Sequence, residues 1–174
     1  MRTSKRIALT GMLCALAVVI MMMGGLIPLA TFCCPAFAAL VLVPIFVECG
    51  EKFSWAAYIS IALLGLMLCP DKEAALLFLA LGYYPIIRWR LEQIRSRTGR
   101  VLAKLGIFNA AVLLMYAACI FLFRMDALMR EYREMGLWLT IGCLAIGNVT
   151  LLIYDVLIAN ITRIYVNKFR KKLM

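Results

Sequence analysis

The chain has 174 residues, of which 66% are hydrophobic and 16% charged, and its formal net charge is +10. A soluble domain is only ~45–50% apolar and ~25% charged, and a chain this short cannot bury such an excess inside itself, so the remainder must meet lipid. The basic residues sit between and after apolar runs with no groove-reading motif among them, which sets aside nucleic acid as a partner and points to positive-inside topology, with anionic lipid headgroups as their natural partners.

In chain order, Arg2, Lys5 and Arg6 precede an uncharged apolar run from Ile7 to Ile27. It is long for the core of a signal peptide and lacks a small-x-small cleavage site, so it is read as a retained first span, ended by Gly24, Gly25 and Pro28. The second run, Pro35 to Val47, is short for a span and contains Pro44, which predicts a tilted, kinked or re-entrant segment. Glu48, Gly50, Glu51 and Lys52 form a turn, and the third run extends from Phe53 to Cys69, closed by Pro70, Asp71 and Lys72. The fourth, Glu73 to Ile87, is also short, with Tyr83, Tyr84 and Trp89 as an interfacial aromatic anchor.

Arg88 to Lys104 is the only long polar stretch inside the chain, with six cations against Glu92 alone. The fifth run follows from Leu105 to Phe123. A mixed-charge loop holds Arg124, Asp126, Arg130, Glu131, Arg133 and Glu134, and reads as an interfacial helix, a lid or a plain connection. The sixth run is Gly136 to about Thr162, before a basic tail with Arg163, Lys168, Arg170, Lys171 and Lys172.

If the N-terminus is inside and the runs alternate, the inside segments hold 15 of the 19 Lys and Arg and the outside segments 4. That asymmetry runs in the expected direction for an even number of spans. The predicted fold is an all-α membrane protein, a six-transmembrane-helix bundle in a single domain over 1–174, with N-terminus and C-terminus cytoplasmic.

With no His in the chain, Ser–His and Cys–His catalysis is excluded, and no G-x-x-x-x-G-K-[ST] is present to cradle ATP. Cys14, Cys33, Cys34, Cys49, Cys69, Cys119 and Cys143 show no C-x-x-C spacing, so no metal site is expected, and most read as small packing residues; a bridge among Cys33, Cys34 and Cys69 stays open. The chain is expected to be neither an enzyme nor a holder of a cofactor.

Polar residues inside apolar runs are the candidate functional groups, because they are costly in lipid and face the bundle interior. Asn148 and Asp155 are seven residues apart on the sixth run and share a helix face. Asn148 is the best candidate for contact with a polar solute, with Tyr116, Trp138 and Thr140 beside it in the predicted substrate-binding set; an interhelical hydrogen bond is the alternative, with Asn109 on the fifth run. Asp155 reads as half of an ion pair, with Arg163 two turns on or with a cation from another helix, and a proton-coupling carboxylate is the sharper alternative. Along the first run, Ala8, Gly11 and Ala15 form a small-residue strip with which another helix can make close contact, either inside the bundle or on a separate subunit.

The opening Lys5-Arg6-Ile-Ala8-Leu-Thr-Gly11-Met-Leu-Cys-Ala15-Leu-Ala17 resembles the start of the S components of energy-coupling factor (ECF) transporters. Gly11 stands where Ala is more usual in that family, which keeps the small size. The resemblance extends to length, span number and topology over the whole chain. It implies a small-molecule solute, such as a vitamin or other micronutrient, bound in an outward-facing pocket, and a bacterial cytoplasmic membrane. It also implies a transmembrane coupling subunit docked on Ala8, Gly11 and Ala15, with partner ATPases supplying energy while the bundle topples. It names no particular solute. Two other classes fit the residues: an assembly subunit without a ligand, and a small autonomous carrier or lipid-handling protein using Asp155.

Overall fold

The computed structural model describes residues 3–24, 30–121 and 136–169, with 30–32, 116–121, 136–141, 143 and 169 described by backbone alone. These residues are helical throughout apart from short turns, with no strand among them. The helices are α1 (Thr3–Gly24), α2 (Ala30–Leu40), α3 (Leu42–Cys49), α4 (Glu51–Leu68), α5 (Lys72–Gly82), α6 (Tyr84–Glu92), α7 (Arg97–Phe121) and α8 (Gly136–Ile164), the last continuing as a π-turn over Tyr165–Phe169. Among the described residues, five segments are long and apolar enough to cross a membrane: Thr3–Gly24, Glu51–Leu68, Lys72–Glu92, Arg97–Met115 and Leu144–Lys168. A shorter apolar helix covers Cys33–Cys49.

The two short runs are two bent helices. Pro44 has no N–H to give the carbonyl of Leu40, and its ring crowds that carbonyl. The helix tightens at this point, with Val41 N donating to Ala38 O at 3.2 Å. Val41 stays in the αR region, so α2 runs on into α3 with a bend and no reversal. Pro85 acts in the same way at Tyr83, where Ile86 N and Ile87 N both donate to Tyr83 O, at 3.1 and 3.2 Å. The fourth run is therefore longer than its apolar residues suggest, because α5 and α6 together carry the helix to Glu92.

The chain forms two compact units, one of Met1–Gln93 with Ile158–Met174 and the other of Ile94–Leu157. In the first, α1 packs on α2 and α4, α2 on α5, and α3 on α4 and α6. The two bent helices thus lie first half to first half, with α4 returning antiparallel beside them. Met21, Ile45, Ile61, Phe78 and Tyr84 fill the core. Gly65 allows close packing of α1 on α4, since a Cβ there would meet Met21 Cε at 2.8 Å. Tyr58 on α4 stacks on Phe78 and donates its hydroxyl to Leu79 O at 2.8 Å, fixing α4 against α5.

At the α4–α5 junction, orphan groups of both helix ends find partners. Asp71 caps α5 by accepting from Glu73 N and Ala74 N at 2.9 and 3.4 Å, while Lys72 Nζ donates to Leu66 O and Cys69 O at the end of α4, at 2.7 and 3.2 Å. Cys69 is buried in this turn. Burial pushes its thiol pKa up, the Lys72 charge pulls it down and the Asp71 charge raises it again. Cys33, Cys34 and Cys69 are all free thiols.

At the other end of α4, about 27 Å away for 18 residues, four segments gather. Cys49 Sγ donates to Arg6 O at 3.8 Å and accepts from Thr10 Oγ1 at 3.7 Å, Arg90 pairs with Glu51 at 2.6 Å, and Tyr165 lies within electrostatic reach of Glu48. These are the flanks that the charge pattern groups on one side.

A single residue, Gly50, joins α3 to α4, at φ 89 and ψ 179. That region is essentially restricted to glycine. Nothing lies within 4 Å of a Cβ built on Gly50 or on Gly11. Gly50→Ala should therefore destabilise the chain by about 1–3 kcal/mol from backbone strain alone, whereas Gly11→Ala, inside α1, should be neutral or stabilising by up to about 1 kcal/mol. Thermal unfolding of the two variants in detergent checks the contrast.

Candidate functional site

The second unit is held differently. Between Val101 and Met115 on α7, Lys104 alone is buried, so little apolar core ties this helix down. What joins it to α8 is a seam of polar side chains. Lys104 Nζ meets Asp155 Oδ2 at 2.6 Å, with only 6% and 17% of the two side chains exposed. About one and a half turns on, Asn109 Nδ2 donates to Asn148 Oδ1 at 3.2 Å and Asn148 Nδ2 returns a bond to Asn109 Oδ1 at 3.4 Å. Each amide also donates to the carbonyl one turn earlier on its own helix, Leu105 O and Leu144 O, both at 2.9 Å. Phe108 covers Gly147, whose added Cβ would meet its ring at 3.7 Å. Residue numbers rise on α7 as they fall on α8, so the two helices run antiparallel along this seam.

Asp155 therefore finds its partner on another helix. Lys104, which the sequence groups with a polar stretch, lies inside α7, because the helix begins at Arg97 and only residues 93–96 separate it from α6. The signal that could have revealed the pair is their common depth. Asn148 and Asp155 share a face, and Asn109 and Lys104 are spaced to meet them on an antiparallel neighbour.

Asn148 is brought to Asn109. Both polar ends of its amide are engaged, so the interhelical hydrogen bond accounts for it without a solute. Tyr116, Trp138 and Thr140 lie on α7 and α8, and their side chains are outside the described residues. The Arg124–Glu134 loop is outside them as well.

Ala8, Gly11 and Ala15 all lie on the exposed face of α1, together with Met12. Cys14, Ala17, Val18 and Met21 take the buried face. Among the described residues, the small-residue strip is thus not used for packing within its unit. A small groove of about 40 Å³ opens elsewhere in that unit, between Val43, Phe46, Val47, Pro85, Arg88 and Trp89 on one side and Ile158 and Thr162 on the other. Pockets for small organic ligands are ~300–1,000 Å³, so this groove suits water.

Among the described residues no cluster of His, Cys, Asp or Glu could hold a metal ion. Breaking one side of a buried ion pair leaves an uncompensated charge, which costs about 3–5 kcal/mol. Lys104→Met or Asp155→Leu alone should lower the unfolding midpoint by that equivalent, and the double replacement should recover most of the loss. Thermal melts of the four proteins in one detergent form the cycle. No protein-family model, characterised protein or solved structure matches the chain, so any function has to be argued from these residues.

Proposed function

We infer that the chain is a multi-pass membrane subunit with six spans and both termini on the cytoplasmic side, docking through α1 to a larger membrane partner and binding a small solute, in the manner of an ECF-type S component. One observation carries the reading: Ala8, Gly11 and Ala15 make a flat, exposed strip on α1, and among the described residues beyond its own helix turn nothing lies within 4 Å of a Cβ built on Gly11. Such strips bring helix backbones into close contact where lipid offers no hydrophobic drive for association. The six-span count rests on the five long segments plus the bent Cys33–Cys49 helix. The inside assignment rests on the basic flanks. The absence of an ATP-cradling motif fits a subunit that depends on a partner for energy. A bacterial cytoplasmic membrane would be the setting.

The solute itself would be taken by the outer part of α7 and α8, where Tyr116, Trp138 and Thr140 lie in sequence. A second reading, an assembly subunit that docks but binds no solute, is favoured by the Asn109–Asn148 pair, which engages both amide hydrogens of Asn148 and one acceptor position of its oxygen. The carrier reading loses force, because Asp155 is engaged by Lys104.

Purification of the tagged chain from its own membranes tests both. On the first reading it brings down a coupling subunit, an ATPase pair and a small molecule visible by mass spectrometry. On the second it brings down a partner and no small molecule. Replacing Gly11 and Ala15 together with Leu should reduce the recovered partner about tenfold or more, which is ~1.4 kcal/mol or above, while leaving the fold and any bound solute intact. Full partner recovery by that variant would sink the docking role of the strip.

A further inference from the structure

The stretch from Arg88 to Lys104 carries six cations. Three are neutralised within the chain: Arg88 by Glu92, Arg90 by Glu51 and Lys104 by Asp155. The other three, Arg95, Arg97 and Arg100, fall within six consecutive residues. Among the described residues, no carboxylate lies within ion-pair distance of them. The sequence shows six equivalent charges; among the described residues the pairing separates them into a structural set and a free set.

Local geometry concentrates the free set. Arg95 is exposed in the short connection before α7, Arg97 is exposed at its first residue, and Arg100 follows three residues later on the same helix face. Arg100 is half-buried. It donates from Nη2 to Ile94 O at 3.2 Å, which draws the connection against the helix, and its Nε is buried without a bond. The apolar span Arg97–Met115 begins at this point. Val101 and Leu102, immediately beyond, are 42% and 64% exposed. Guanidinium groups at the rim of an apolar span, with exposed aliphatic side chains about one turn beyond Arg97, match an anionic headgroup above its acyl chains. An acidic protein segment would use the cations and leave Val101 and Leu102 uncovered.

We propose that Arg95, Arg97 and Arg100, at the start of α7, bind the phosphate of an anionic membrane lipid whose acyl chain lies along Val101 and Leu102. This rests on the membrane reading above and not on the solute or the docking partner. The test is titration of phosphatidylglycerol and phosphatidylcholine onto the detergent-solubilised chain, read by native mass spectrometry. The native chain should favour phosphatidylglycerol. Arg95→Gln and Arg97→Gln should each weaken its binding roughly fivefold, the equivalent of about 1 kcal/mol per basic residue at an anionic surface. R95Q/R97Q/R100Q together should weaken it roughly a hundredfold, with phosphatidylcholine binding unchanged. The single variants keep most of the stretch's charge for topology, so they decide the matter if the triple variant fails to accumulate.

Equal phosphatidylglycerol binding by native and substituted chains would overturn the proposal. So would full competition by inorganic phosphate, which would make this a site for a free anion. Recovery of the native chain in the soluble fraction without detergent would instead overturn the membrane reading itself.

Discussion

A polar group inside hydrocarbon has no water to turn to, so it has to be satisfied by the chain that carries it. Most features of this protein follow from that constraint. Where Pro44 and Pro85 remove a donor from the helix ladder, the backbone tightens and re-forms its bonds within one turn. Where α4 ends, Lys72 reaches back to two carbonyls, and Asp71 caps the helix that follows. The turn at Gly50 closes with Gly50 N on Phe46 O and with both Ser54 N and Ser54 Oγ on Gly50 O. Those at the helix ends, where water is the alternative, add little net energy one by one. Their weight lies in what their absence would cost, and they fix where each helix bends and stops.

The two units meet the constraint by different means. The first buries aliphatic and aromatic side chains among α1 to α6 and keeps its polar contacts at the ends. The second has few buried residues on α7 and relies on Lys104–Asp155 and Asn109–Asn148 along the α7–α8 seam. A polar seam is a weaker glue than a well-packed core, because ion pairs and amide pairs mostly offset their own desolvation. It is a stricter ruler. Apolar side chains tolerate a slide of the helices, whereas a shift of one turn, about 5.4 Å, would leave two charges and two amides unpaired.

The helical class and the approximate extents of the apolar segments were legible in the sequence because they rest on composition and run length. The grouping of basic flanks was legible too, and the first unit does bring Arg6, Cys49, Glu51 and Arg90 to one end. Run length alone was a poor guide at the second and fourth segments. An apolar count stops at the first charge, but α6 carries Arg88, Arg90 and Glu92 on the same helix and compensates them with i,i+4 and cross-helix pairs. Lys104 was misread for the same reason: a hydropathy boundary marks where charge starts, not where helix starts. The Asp155 partner could not be chosen from one chain of letters, since Arg163 and a cation on another helix were both within reach until α7 and α8 were set antiparallel. For the solute, the sequence offered an amide and aromatics, and the geometry accounts for the amide through its twin.

The Lys104–Asp155 pair has a further consequence for how the chain is made. Its members are 51 residues apart. At a synthesis rate of ~5–20 residues per second, roughly three to ten seconds pass between the emergence of the lysine and that of its carboxylate. Throughout that interval the α7 segment carries a cation whose Asp155 counter-charge has yet to be made. Its position, two turns from the start of α7 at Arg97, lets the four-carbon stem stretch back toward the headgroup layer. The ion pair can close only once α8 has been made, so it belongs to a late step of assembly.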